Sequence, residues 1–396
     1  MHNTKIKLGV VGDLDNIHFK RRFEKIDKEK YDITVICRAD FPINYYINVP
    51  VFSVNLNSFR FLKHFQSFFQ YFCFIKKQKF DIIYCFGGDS AVAWLASIAA
   101  DRYFVVTTLG VDVLLDDQIN MSAVIKRNIK ETLRAADLVT TLTAYMETRL
   151  LEHFKIPPKK IIQDFLDIEE AWYTKKKSTS TQEIFYPIIL SPRMLNILYQ
   201  QEKIFRSLPL IKKRFQKVLL VQTTFGKNEE YFLKCQSLIR LLDIEENVLF
   251  LENFQKPEML IDSFDQSDIV VMVPKSDGMP SSMIEAWSRN KPVIVSNIAN
   301  YDEFYNRKLF LKTDITENFL ADAVFEIIEN DYLRNQLIEQ PTQFLKDKRK
   351  IFKKSDIFES YKMFKKKNLL SKLWRFLLFM LFLIEPWFKF PDKNSG

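Results

Sequence analysis

Residues 268–296 read DIVVMVPKSDGMPSSMIEAWSRNKPVIVS, and the order of apolar runs and breakers in this stretch decides the fold. The run 269–273 is short, continuous and rich in β-branched residues, which suits a strand covered on both faces, as in a parallel sheet. Pro274 ends it. The loop 275–280 holds one glycine, Gly278, and Ser281 and Ser282 then offer N-cap chemistry to an apolar-periodic helix over 283–287. Asn290 and Pro292 stop that helix, and Pro-Val-Ile-Val-Ser begins another strand. A strand that enters a helix through a tight loop is where open α/β sheets bind ligands, because first-turn N–H groups and the helix dipole favour an anion there.

Two carboxylates bracket this loop, Asp277 before the helix and Glu285 within it, with seven residues between them. A phosphate alone would be repelled by both. A nucleoside diphosphate sugar offers hydroxyls at each end and a diphosphate in the middle, and that suits the pair. Glu285 also has a reading that needs no ligand, since Ser282-Met283-Ile284-Glu285 spells the S-x-x-E of a capping box. Both readings stand on the sequence.

The segment resembles the acid-x7-acid signature of the family 4 retaining glycosyltransferases, whose usual form is E-G-x-x-x-x-x-x-E-A followed by G-x-P-V-[IV]-x-[ST]. Here the opening is Asp277-Gly278-Met279-Pro280, followed by Glu285-Ala286 and Lys291-Pro292-Val293-Ile294-Val295-Ser296. The resemblance extends over roughly residues 5–330. The strand 103–109 leads into Gly110-Val111-Asp112, similar to a G-x-D near the family's active cleft; Asp112 is a candidate contact for the transferring sugar or the acceptor, or else a cap of the next segment. The strand at 186–193 ends in Arg193, in the place of the family's diphosphate-binding arginine. The lysine that usually joins it would fall near Tyr199-Gln200, and Lys203 is a poor substitute. Gln163-Asp164-Phe165-Leu166-Asp167 stands where relatives carry a glycine-containing turn, P-x-G-[VI]-D.

The resemblance implies an α/β chain of GT-B architecture, two Rossmann-like doubly wound parallel-sheet domains facing across a cleft. It implies retaining, metal-independent hexosyl transfer in which the nucleotide sugar is a substrate and no cofactor is needed. Arg193 and the amides of Ser281 and Ser282 would neutralise the departing diphosphate, and Glu285 would accept hydrogen bonds from the ribose. Asp277, with Gly278, Met279 and Pro280, would orient the donor sugar. Thr223 and Gly12, each at the loop after a strand, join the donor-binding set.

Composition sets the frame for this reading. A chain of 396 residues exceeds what one core usually serves, so two domains are expected, and hydrophobic residues at 47% can fill both cores. The polar run from Lys175 to Thr181 places a linker at 175–183, between a first domain at 1–174 and a second at 184–345, with an extension at 346–396. A net charge of +9 suits an anionic partner, and with neither an aromatic-rich RNA-binding signature nor a Cys/His finger, nucleic acid is not expected. Cys37, Cys73, Cys85 and Cys235 form no C-x-x-C pair, which argues against a zinc site or disulfide framework and for a reducing cytoplasm. Gly9 and Gly12 do not make the G-x-G-x-x-G of a nicotinamide site. Asp13-Leu14-Asp15 spells the D-x-D of metal-dependent transferases, but its place at the first strand–helix loop favours helix capping.

Two stretches bear on membranes. Phe61, Phe65, Phe68, Phe72 and Ile75 recur at helical spacing with Leu62 and Phe69 beside them, a stripe that suits core packing or, with Arg60, Lys63, Lys76, Lys77 and Lys79 flanking it, a membrane-facing helix. Residues 376–384 form an apolar run too short to span a bilayer, flanked by Lys365-Lys366-Lys367, Trp374 and Trp387. An interfacial helix fits this tail, and a helix packed back on the first domain is the alternative. The expectation is therefore a cytoplasmic enzyme, peripheral on the anionic inner face of a membrane, that glycosylates a glycan or lipid-linked acceptor in cell-surface polysaccharide or glycolipid synthesis. The rival expectation is a non-catalytic, membrane-associated protein that binds glycans or nucleotide sugars.

Overall fold

The computed structural model describes residues 5–12, 17–38, 48–54, 61–88, 91–114, 123–174, 185–252, 257–352, 357–359 and 377. Chain contacts divide it into two units, Met1–Asp164 with Ser355–Gly396, and Phe165–Lys354. The predicted linker at 175–183 and nearly all of the predicted membrane tail lie outside the described residues. Among the described residues no helix is long and apolar enough to cross a membrane.

The first unit is built on seven strands: β1 Ile6–Val11, β2 Tyr31–Arg38, β3 Val51–Val54, β4 Ile82–Phe86, β5 Tyr103–Thr107, β6 Leu138–Thr141 and β7 Ile161–Gln163. They pair in parallel in the order β3-β2-β1-β4-β5-β6-β7. Every residue of β4, β5 and β6 is buried, as expected of apolar runs with helices over both faces. The helix Phe61–Gln78 turns Phe68, Tyr71 and Ile75 into the core and leaves Phe69 60% exposed. Of the stripe's described side chains, Phe68 and Ile75 pack into the core and Phe69 does not, while the side chains of Phe61, Leu62 and Phe65 lie outside the described residues.

The second unit holds β8 Ile188–Ser191, β9 Leu219–Thr223, β10 Val248–Leu251, β11 Ile269–Met272, β12 Val293–Ser296 and β13 Leu311–Thr313. All pair in parallel, in the order β10-β9-β8-β11-β12-β13. In both sheets the first strand of the unit is flanked by its second and its fourth, so the winding reverses there. That reversal is the topological switch point, where the loops leaving two neighbouring strands part to opposite faces and open a crevice. Its flanking strands are β1 and β4 in one unit and β8 and β11 in the other.

The division between units falls after Asp164, ahead of the predicted linker, and the side chains show why. Asp164 pairs with Arg22 of the first unit. Beyond it, Trp172 meets Phe264 edge-on at 5.3 Å and Arg289 donates to the carbonyls of Trp172 and Thr174, which ties this segment to the second core. Past the helix Asp331–Phe352 the chain returns, and Phe358 packs edge-on against Tyr31 and Tyr84 in the first core.

Candidate active site

The carboxyl ends of β8 and β11 flank the second switch point, and each delivers one of the predicted residues. Arg193 lies two positions beyond β8 and Asp277 five beyond β11. Their side chains meet in an ion pair, Nη2 to Oδ2, at 2.8 Å. Their loops are joined by two further bonds: the Lys275 N–H donates to the Leu198 carbonyl at 2.8 Å, and Gln200 Nε2 donates to the Val273 carbonyl at 3.0 Å.

On the other side, the segment after β12 clamps the acidic loop. Asn300 Nδ2 donates to the carbonyls of Asp277 at 2.7 Å and Gly278 at 2.6 Å, and the Tyr301 hydroxyl donates to Asp277 Oδ2 at 3.3 Å. Ser296 Oγ donates to the Pro274 carbonyl at 2.7 Å. A third layer supports Arg193 from behind. Its carbonyl accepts from Gln222 Nε2 at 2.8 Å and from Gln201 Nε2 and Thr223 Oγ1 at 3.4 Å each. Thr223 is itself buried, so its hydroxyl is directed to the Arg193 backbone.

The helix behind the loop runs Ser281–Ser288, and its N-cap is Pro280, which makes no side-chain capping bond. This corrects the expectation that Ser281 and Ser282 cap it. Both serines lie inside the first turn, and Ser282, 4% exposed, donates to Met272 Sδ at 3.1 Å and accepts from Arg193 Nη1 at 3.4 Å. The capping box is therefore not formed: its serine is within the helix, and Glu285 sits a full turn in rather than at the third position. Glu285 is 5% exposed, and its field helps hold the Arg193 guanidinium protonated. The first-turn amides of Ser281 and Ser282, by helix geometry, have no intrahelical acceptor.

Burial and pairing compete at this site. Burial pushes the Asp277 carboxyl above its ordinary range, against the pull of Arg193, the Tyr301 hydroxyl and the Gly278 N–H. Burial works against the Arg193 charge, yet Asp277, Tyr199, Tyr301 and Glu285 together hold its pKa above the ordinary value. The Arg193 guanidinium lies over the Tyr199 ring, 4.2 Å from Cζ to the ring centre. Arg193 Nε is buried and has no partner among the described residues. The structure thus brings together Arg193, Asp277, Gly278 and Ser282 with three residues that the sequence reading did not assign to the site, Tyr199, Asn300 and Tyr301. Asn300 and Tyr301 follow the next strand in the parallel order, which is the one signal in the sequence that could have found them.

Gly12 and Asp112 lie in the other unit, near its own switch point. The Gly12 N–H donates to the Ile36 carbonyl at 3.1 Å, and a Cβ there would fall 2.3 Å from Phe19 Cδ2, so packing alone demands glycine. Asp112 is buried, and its carboxylate accepts from the N–H groups of Gly88 at 2.9 Å, Leu109 at 3.0 Å and Gly110 at 3.1 Å. It thereby ties the loop after β4 to the loop after β5. Asp13, Asp15, Asp116 and Asp117 lie outside the described residues.

Two doubly wound parallel sheets of this order make a chain of the GT-B fold. The family described as glycosyl transferases group 1 matches residues 176–344, and the family described as glycosyl transferase 4-like matches residues 7–143. Both family models are of glycosyltransferases, and one falls in each unit of the chain. Among solved structures it is similar to HepE of Anabaena in complex with UDP, at TM-score 0.69 and 16% identity over 87% of this chain and 95% of that one. A glycosyltransferase from Rickettsia africae matches at TM-score 0.65 and 16% identity, over 89% of this chain and 100% of that one. Sucrose-phosphate synthase from Thermosynechococcus elongatus matches at TM-score 0.68 and 13% identity, over 95% and 100%. No curated protein matches the chain.

Proposed function

We propose that this glycosyltransferase takes its sugar from a nucleoside diphosphate sugar bound at the second switch point and passes it to a glycan or lipid-linked acceptor. The observation that carries the reading is the Arg193–Asp277 pair set against the first turn of Ser281–Ser288, with Glu285 buried beneath it. In such a donor the leaving group is already a stabilised diphosphate, so the protein's task is to neutralise growing charge. Arg193 and the amides of Ser281 and Ser282 do this by preorganised electrostatics. Glu285 accepts hydrogen bonds from the ribose, and Asp277 with Gly278, Met279 and Pro280 orients the sugar. Transfer proceeds with retention and without a bound metal. UDP and UDP-glucose in the Anabaena structures support a nucleotide sugar as the ligand class.

Asp112 holds the loops after β4 and β5 of the first unit in place for the acceptor, Gly12 shapes the loop after β1, and Thr223 steadies the Arg193 backbone beneath the donor. The enzyme works in the cytoplasm against the anionic inner face of a membrane, in cell-surface polysaccharide or glycolipid synthesis. The basic, Trp-flanked run at 376–384 and the net charge of +9 support that placement. The test is incubation with labelled nucleotide sugars and a membrane extract. Label transferred to extractable lipid or glycan supports the reading. Tight donor binding with neither transfer nor slow hydrolysis would instead favour a non-catalytic binding protein.

A further inference from the structure

We infer that Tyr199 is a positioning residue of the donor site, its ring holding the Arg193 guanidinium in the orientation that receives the diphosphate. The inference rests on the donor reading above. A guanidinium has five donors and two faces, and it turns readily unless both are engaged. Here Asp277 takes one edge at 2.8 Å, Ser282 Oγ takes Nη1 at a long 3.4 Å, and Nε is buried without a partner among the described residues. One strong bond leaves the group free to pivot about the Asp277 contact. The Tyr199 ring, 4.2 Å from Cζ, closes one face and removes that freedom. It also supplies the negative π face that a cation prefers, at a half-buried site where such contacts are stronger than on an open surface.

The ring is itself held in place. The Tyr199 N–H donates to the Asn196 carbonyl at 3.1 Å, and the next residue, Gln200, adopts a left-handed conformation at φ +52, uncommon for a residue with a Cβ. Gln200 then anchors on the Val273 carbonyl at 3.0 Å. A strained turn fixed by a buried side-chain bond persists where its surroundings over-determine it, and what this turn sets is the place of the ring. The phenol is neutral at working pH, as any tyrosine is, and burial raises its pKa further, so the ring opposes no anion. The ring stands where the sequence pattern would place a second cation. The site therefore meets the diphosphate with one guanidinium held rigid rather than two mobile charges.

The experiment is a titration of UDP, GDP and ADP against the full chain, with donor and acceptor kinetics on the same preparations. Tyr199→Leu should bind the preferred nucleotide about 2- to 30-fold more weakly, the range of a cation–π contact, and raise the donor KM with the acceptor KM unchanged. Tyr199→Phe, which keeps the ring, should restore most of that loss. In an Arg193→Gln background Tyr199→Leu should add nothing further, because the ring acts through the guanidinium. A melting curve without nucleotide checks each variant, and Tyr199→Met replaces Tyr199→Leu if the latter does not fold. Parental affinity in the variant without the ring would overturn the inference, as would equal losses in the Phe and Leu variants or an undiminished loss in the Arg193→Gln background. If the parent binds none of the three nucleotides, the donor reading and this inference fall together.

Discussion

Glu285 was legible from sequence as one of two things, a helix cap or a ligand residue, and the structure removes the first. The helix starts at Ser281 with Pro280 as its cap, so Glu285 faces the buried side of the second turn rather than a free N–H. Glu285→Gln therefore has no capping role to preserve. A carboxylate can accept from two neighbouring ribose hydroxyls, while Gln keeps one acceptor and turns an NH₂ toward the site. Donor affinity or turnover should fall about 10- to 100-fold, the worth of a hydrogen bond to a charged group. Unchanged donor titration and turnover in the variant would remove Glu285 from the donor site. Asp277→Asn tests the other carboxylate. It leaves Arg193 buried without its counter-ion, and because both side chains keep some exposure, 14% and 13%, the cost should be about 1–3 kcal/mol, below that of a fully buried pair. An added nucleoside diphosphate should then raise the melting temperature of the Asn variant more than that of the parent, as the anion replaces the lost charge. An equal rise in both would show that the ligand does not approach Arg193.

At the scale of elements, the strands were legible because their apolar runs are continuous: the run 269–273 is β11 Ile269–Met272, and the arginine and acidic loop fall where two such strands end. The helix start was not legible, because two adjacent serines followed by Glu285 fit a cap in two registers and the chain uses neither. What decided against them is tertiary: Ser282 is drawn inward to Met272 and Arg193. Tyr199, Asn300 and Tyr301 were missed as site residues for the same kind of reason, since their contacts cross between loops and leave no local spacing. The loop after β9 carries one conformational demand that can be measured. Gly226 has φ +59, and a Cβ there would sit 2.6 Å from Met194 Sδ, next to Arg193. Gly226→Ala should cost about 1–2 kcal/mol through the left-handed backbone and should weaken nucleotide binding as the Met194 side gives way. A melting temperature and affinity equal to the parent's would show that the loop relaxes freely. In the other sheet, burial pushes the Tyr84 hydroxyl, bonded to Thr107 at 2.8 Å, up to about 12. The unfolded chain would ionise this group near pH 10, so its contribution to stability should be lost as pH rises from about 10 to 12. Melting curves across that window should fall more steeply for the parent than for Tyr84→Phe.

At the scale of the whole molecule, each unit repeats one winding, and in the second the Arg193–Asp277 pair lies at the reversal between the first and fourth strands. The residue types at the two reversals differ. The second carries a guanidinium, a carboxylate and a helix start, which suit a diphosphate and its sugar. Beside the first, Asp112 accepts from backbone N–H groups of the loops after β4 and β5 and fixes those loops to each other. Transfer should survive excess chelator. Loss of activity that returns with Mg²⁺ or Mn²⁺ would bring Asp13 and Asp15, or Asp116 and Asp117, forward as ligands. Truncation after Lys367 should move the protein to the soluble fraction; a truncated chain that still sediments with membranes at high salt would show that the tail is not the anchor.

The central claim is that the nucleotide end of the donor is held at the second switch point. Hydrogen exchange with and without a saturating nucleoside diphosphate tests it most directly, because amide protection reports where the ligand closes the backbone from water. The account predicts slowed exchange in the loop 192–199, in the loop 275–280 and at the first-turn amides of Ser281 and Ser282, with β10 and β13 little changed. Tight nucleotide binding that leaves all three of those segments exchanging at their free rates would contradict it.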